Sequence, residues 1–151
     1  MRKLFILLPL LSFMFFISCD DDSAEEQLKN DIALIEKYLS DNNLTAQSTA
    51  SGLYYIITAQ GNGETPTPNS IVRVEYTGRL LNGTIFDRGT VDDYPLSSYV
   101  PGWIEGMQLF KEGGYGKLFL PSALGYGSRS VGTIPANSVL VFDVKLVDVS
   151  N

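Results

Sequence analysis

The chain has 151 residues, with 17 acidic side chains against 11 basic ones, a formal net charge of −6, no histidine and one cysteine. An acidic chain without a Lys/Arg cluster is a poor partner for nucleic acid, and that class is set aside. Without histidine or a second cysteine, His-based triads, the usual zinc sites and a disulfide framework are excluded too, and no metal or other cofactor is expected.

Arg2-Lys3 precedes an apolar run from Leu4 to Ile17, broken mildly by Pro9 and Ser12. The run is shorter than the roughly 20 residues of a membrane span and fits the h-region of a secretory signal. It ends at Phe16-Ile17-Ser18-Cys19, where the single thiol follows a small residue. This resembles the lipobox of bacterial lipoproteins, with Phe16 where the pattern prefers Leu. The resemblance implies a signal peptide over 1–18 and acylation of Cys19. The protein would then be lipid-anchored to a membrane of the cell envelope, facing the periplasm or the cell surface. Each acyl chain supplies about 0.8 kcal/mol per buried CH2, so several hold where one does not. The plainer alternative is an ordinary signal peptide with a chance cysteine. Loss of Arg2 and Lys3 takes the formal charge from −6 to −8, and the remainder suffices for one domain with a core. Asp20-Asp21-Asp22 reads either as a solvated tether or as a sorting signal beside the anchor, within a lipidated acidic tether over 19–23.

Ser23-Ala24-Glu25-Glu26 has the form of a capping box. Leu28, Ile32, Ile35 and Leu39 then recur at helical spacing, which predicts a helix over about 24–40 ending before Asp41-Asn42-Asn43. Its stripe needs a partner, either its own domain or a second copy in a homodimer. Thr45 to Ser51 is rich in Ser, Thr and Ala and reads as a linker, so 24–51 is set apart as N-terminal helix and linker.

The compact domain is placed at 52–151. Leu53 to Thr58 is a short strand. From Ile71 to Leu81, Val72, Val74 and Tyr76 alternate with polar residues, as in a half-buried strand. Asn82-Gly83 is a strong hairpin signal and returns the chain through Thr84-Ile85-Phe86-Asp87. Tyr94-Pro95-Leu96 reads as an edge piece. Pro101-Gly102 opens a short helix whose Trp103, Met107 and Phe110 share one face. Trp103 is either an ordinary core aromatic or the floor of an apolar pocket. Lys117 to Leu120 is a strand, and Pro121 to Asn137 is a long loop of the kind that often carries function. Ser138 to Val149 is a strand with Leu140, Phe142, Val144 and Leu146 on one face. Gly116-Lys117 lacks the pattern of a phosphate loop, and there is no internal repeat. Strands outnumber helices and connections are short, which argues an antiparallel α+β fold.

Six motifs stand in order: Val74-Glu75-Tyr76-Thr77-Gly78, Gly83-Thr84-Ile85-Phe86-Asp87, Val100-Pro101-Gly102-Trp103-Ile104-Glu105-Gly106, Gly125-Tyr126-Gly127, Ile134-Pro135 and Leu140-Val141-Phe142-Asp143-Val144. Together, over about residues 52–149, they resemble the FKBP-type peptidyl-prolyl cis-trans isomerases. The resemblance implies a curved antiparallel sheet of five or six strands wrapped around one short helix, and the helix ahead of it resembles the N-terminal extensions of some bacterial members. It further implies a pocket with Trp103 as floor and Tyr76, Phe86 and Phe142 as walls. Tyr126 and the backbone N–H of Val100 would bond substrate carbonyls. Asp87 would orient Tyr76 or bias the local field, or serve as a structural acceptor. Leu96, Tyr99 and Ile134 would contact substrate. The sequence departs from the pattern at Leu96 (often aromatic), Tyr99 (usually small aliphatic) and Thr133 (often larger and apolar), and over a shortened Arg88–Ser98 segment. The implied partners are proline-containing exported proteins. Two other functions stay open: a module that binds proline segments or acts as a chaperone without turnover, and an envelope interaction protein working through the 24–40 helix.

Overall fold

The computed structural model describes residues 19–92 and 94–151, with side chains from Ser23 onward; the leader expected over 1–18 lies outside them. Helix α1 (Cys19–Asp41) is followed by strands β1 (Gln47–Ser48), β2 (Tyr54–Ala59), β3 (Ile71–Leu80) and β4 (Ile85–Val91). Helix α2 (Pro101–Met107) then leads to β5 (Tyr115–Leu120) and β6 (Leu140–Ser150). The six strands form one curved antiparallel sheet in the order β1-β2-β5-β6-β3-β4.

The inner face of that sheet is built by period-two alternation. Val72 and Val74 of β3, Leu118 and Leu120 of β5, and Leu140, Phe142, Val144 and Leu146 of β6 all enter one core with Trp103, Met107 and Phe110. Gly83 at φ 88 makes the β3–β4 hairpin, where Leu80 N–H donates to Thr84 O at 2.9 Å. A left-handed residue there costs a glycine little, and an L side chain more.

Helix α2 begins with Pro101 at its first turn, where a missing N–H is harmless. It lies very close to the sheet. A Cβ at Gly102 would stand 2.3 Å from Leu120 Cγ, and one at Gly106 would stand 2.7 Å from Leu118 Cδ1. Gly102→Ala therefore opposes two effects. Helix propensity favours Ala by about 1 kcal/mol, whereas overpacking a filled core costs about 1–3 kcal/mol. Leu120 is wholly buried, so the steric cost wins. The substitution is expected to lower the melting temperature, and a rise would show that α2 has room to lift.

Three sequence expectations need correction. The N-terminal helix already includes Cys19–Ser23 instead of beginning at about residue 24, so Ser23 lies within the helix and does not cap it. Nothing in Asp20-Asp21-Asp22 excludes helix, since Asp costs at most about 0.7 kcal/mol per position relative to Ala. Gln47–Ser48, expected within a linker, pairs with Tyr54 and Tyr55 as an edge strand, and Tyr55 Oη donates to Gln47 Oε1 at 2.8 Å. Leu96, read as part of an edge piece, opens a 3-10 turn over Leu96–Ser98, with only Pro95 bridging to Ile71.

The stripe of α1 finds its partner within the chain. Ile35 and Leu39 pack on Phe119, Val139 and Val141, which project from the outer face of β5 and β6 and the residue before it. Each wholly buried apolar side chain contributes about 1.5–3 kcal/mol. The sheet is thus sandwiched, with α2 on its concave face and α1 on its convex face.

Candidate active site

Four elements and one loop converge at the open end of the concave face. Strand β3 supplies Tyr76, β4 supplies Phe86 and Asp87, β6 supplies Phe142, α2 supplies Trp103, and the loop after β5 supplies Tyr126. They line a cavity of about 350 Å³ together with Tyr99 and Val100.

The rings meet edge to face. Tyr76 lies 5.2 Å from Trp103 at 85°, Phe142 lies 5.4 Å from Trp103 at 79°, and Phe86 lies 5.6 Å from Phe142 at 86°. Tyr99 adds a tilted contact at 5.4 Å from Trp103. Such arrangements set positive ring edges against negative ring faces. Gly78 makes this wall possible, because a Cβ there would stand 2.5 Å from the Phe86 ring and 2.9 Å from that of Phe142. Trp103 is only 4% exposed, and its indole Nε1 is buried with no hydrogen-bond partner among the described residues.

Polar groups are few and sit at the margin. Tyr76 Oη donates to Asp87 Oδ2 at 2.6 Å, while Asp87 Oδ1 accepts from Arg88 N at 2.8 Å. The carboxylate thus fixes the Tyr76 ring. Val100 caps α2, its carbonyl accepting from Trp103 N at 2.9 Å and Ile104 N at 3.2 Å. Its own N–H precedes the helical ladder.

The Tyr76 phenol is pushed up to about 12, first by burial, then by its hydrogen bond to Asp87 and that residue's negative charge. Folding raises this value, so the native state holds the proton more tightly than the unfolded chain. The associated stability is complete below the ordinary value of about 10 and is lost as pH rises through about 12. In a spectrophotometric titration of the eight tyrosines, Tyr76→Phe is expected to remove a step at about pH 12. It should also flatten the decline in stability above pH 10. A titration curve unchanged at about pH 12 would contradict this account.

The structure brings Tyr76, Phe86, Asp87, Tyr99, Val100, Trp103, Tyr126 and Phe142 to one cavity. Ile134, 5% exposed, lies in an adjoining recess of about 190 Å³ with Phe86, Asp87 and Tyr126. Leu96 does not reach the cavity. Its side chain is wholly buried in the core beneath, so the expectation of substrate contact there is corrected. Val91 and Ser98 line the cavity and were not foreseen. Val91 carries a faint signal, an apolar residue two positions beyond Gly89 on a mostly polar strand, and Ser98 carries none.

A broader hollow of about 470 Å³ lies on the convex face among Glu75, Thr77, Lys117, Asp143 and Lys145. Its charges serve one another. Arg79 and Lys117 both bond Asp143, and Lys145 reaches Glu75 at 3.5 Å. Burial and the neighbouring Arg79 lower the pKa of Lys117. This is an open hollow lined largely by ion-paired side chains.

Comparison with known proteins agrees with the geometry. Residues 62–147 match the family described as FKBP-type peptidyl-prolyl cis-trans isomerase. The chain is 46% identical over 134 residues to the FKBP-type peptidyl-prolyl cis-trans isomerase FkpA of Aeromonas hydrophila, covering 85% of this chain and 48% of that protein. The crystal structure of FkpA from Escherichia coli superposes with a TM-score of 0.71 at 34% identity, over 86% of this chain and 66% of that one. A peptidyl-prolyl cis-trans isomerase from Pseudomonas syringae pv. tomato gives 0.70 at 30% identity, over 84% and 96%. The chain spans about half the length of the curated relatives it matches.

Proposed function

Because the chain belongs to the FKBP-type peptidyl-prolyl cis-trans isomerases, we propose that it rotates X-Pro amides of exported proteins while held at a membrane of the cell envelope. The observation that carries this reading is the ring-lined cavity of about 350 Å³ above Trp103, with polar groups only at its margin.

Rotating a prolyl amide breaks no covalent bond and needs no nucleophile, acid or base. Amide resonance sets a barrier of about 18–20 kcal/mol, and the uncatalysed step takes roughly 10–100 s at 25 °C. Resonance places negative charge on the carbonyl oxygen, and water stabilises that charge. The twisted amide has lost much of it. A dry aromatic recess therefore disfavours the planar ground state more than the twisted transition state, and every 1.36 kcal/mol of that difference is tenfold in rate. In this reading the proline ring rests on Trp103 between Tyr76, Phe86 and Phe142. The Tyr126 hydroxyl and the Val100 N–H donate to flanking carbonyls. Asp87 holds Tyr76 in place, and Tyr99 and Ile134 meet the residues beyond the proline.

The test is a proline-limited refolding assay with residues 20–151, which keep α1 on the sheet. Acceleration over the uncatalysed rate is expected. Peptide binding by a folded chain without acceleration would favour the non-catalytic binding module.

The remaining parts of the proposal concern placement. We retain the division into leader 1–18, lipidated tether 19–23, helix and linker 24–51 and isomerase domain 52–151. Acylation of Cys19 supplies the anchor. Among the described residues no helix is long and apolar enough to cross a membrane. Cys19→Ser is expected to release the protein from membranes, and retention would remove the anchor. Docking of Ile35 and Leu39 on the chain's own sheet argues against a homodimer through that stripe, and sedimentation of residues 20–151 decides it.

A further inference from the structure

Asp31 is a carboxylate with no exposed surface, on a helix that faces away from the cavity. Removing a charge from water is costly unless partners replace the solvent. Here they do. Asp31 Oδ2 accepts from the backbone N–H of Ser122 at 2.8 Å and from Ser122 Oγ at 2.6 Å, and Oδ1 accepts from Gln27 Nε2 at 2.8 Å. Hydrogen bonds to an ionised acceptor are about twice as strong as neutral ones.

The partner is what makes this bond informative. Ser122, itself 2% exposed, opens the turn that follows β5. Its carbonyl accepts from Gly125 N at 2.9 Å and from Gly127 N at 2.8 Å. Those two residues flank Tyr126. Gly127, at φ 60, then turns the chain, and its carbonyl accepts from Asn137 N at 2.8 Å. One continuous set of bonds runs from a buried acid on α1 to the two peptide units that hold Tyr126 over the cavity.

We infer that Asp31 is a positioning residue for the reaction: through Ser122 it fixes the direction of the Tyr126 side chain, so that the N-terminal helix takes part in substrate binding from the opposite side of the sheet. This rests on the isomerase reading above. A purely structural role, docking α1 and nothing more, is the competing account. Ile35 separates the two, because it docks the same helix by apolar packing on Phe119, Val139 and Val141 and has no side-chain group that could hydrogen-bond Ser122.

The experiment measures kcat and KM for a proline peptide with the full-length chain purified in detergent, at a temperature where every variant is folded. Asp31→Asn and Ser122→Ala are expected to raise KM about fivefold with kcat nearly unchanged, the lower end of the usual range for coupling between separated sites. The same two substitutions should shift the amide resonances of Gly125 and Gly127. Ile35→Ala is expected to lower the melting temperature and leave KM as it was. In a Tyr126→Phe background, which lacks the hydroxyl being aimed, Asp31→Asn should have no further effect on KM. A wild-type KM in Asp31→Asn, unmoved glycine amides, or a full fivefold effect retained without the Tyr126 hydroxyl would each overturn the inference. An inactive wild-type chain would instead overturn the isomerase reading, and this inference with it.

Discussion

Phe86→Ala is expected to lower kcat/KM about 10- to 100-fold while the protein stays folded. Phe86 is half-buried, and its ring edge meets Phe142 at 5.6 Å over the cavity. Without it, one wall is replaced by water at the place where the carbonyl of the X-Pro amide must shed its solvent. Covering a Phe-sized surface is worth about 1.5–3 kcal/mol, which at 1.36 kcal/mol per decade gives the stated range. The effect on stability is smaller, because the native ring is still partly in solvent and loses mainly one aromatic contact of about 0.5–1.5 kcal/mol. Peptide isomerisation and a thermal melt on the same sample check both halves. A large fall in melting temperature with intact kcat/KM would make Phe86 a structural residue and remove it from the site.

Phe119→Ala is expected to do the reverse. Phe119 is wholly buried on the convex face, where it meets Tyr38 at 5.9 Å and lies in the cluster with Ile35 and Leu39. Deleting such a ring costs about 3–5 kcal/mol, which for a chain of this size lowers the melting temperature by on the order of 10–20 °C. Activity per folded molecule should hold, because Phe119 and the cavity are on opposite sides of β5. If the melting temperature barely moves, α1 is not bound as described. If activity collapses in protein shown to be folded, Phe119 bears on the cavity by some route other than docking α1.

These two phenylalanines also mark what could be read in advance. Phe86 belongs to a motif beside an Asn-Gly hairpin, and the alternation of Val72, Val74 and Tyr76 fixed which face of β3 is inward. Helix α2 was legible from Pro101-Gly102 and the recurrence of Trp103 and Met107. Phe119 was not legible as core. Period-two alternation assigns one buried face per strand, and in β5 and β6 both faces are covered where α1 crosses. Phe119 and Val141 therefore fell on faces that alternation treats as outward. The helix stripe announced a need for a partner without naming it, since a pattern on one element carries no information about what lies opposite. Asp31 and Ser122 are 91 positions apart and share no local pattern. Gln47–Ser48 has no apolar period, and its strand exists because Tyr54 and Tyr55 offer an edge. Leu96 was misplaced because a family position was carried over while the segment leading to it is short, and a 3-10 turn carries its side chain into the core.

Gly102 and Gly106 rest α2 directly on Leu120 and Leu118, and this settles the depth available under a bound ring. The indole cannot sink under load, because the backbone beneath it already has no slack. A bulkier imino acid would have to find its room at the mouth, beside Tyr99, Ser98 and Val91. If the chain acts as proposed, changes around the mouth alter which segments enter, whereas the floor holds the admitted ring size constant.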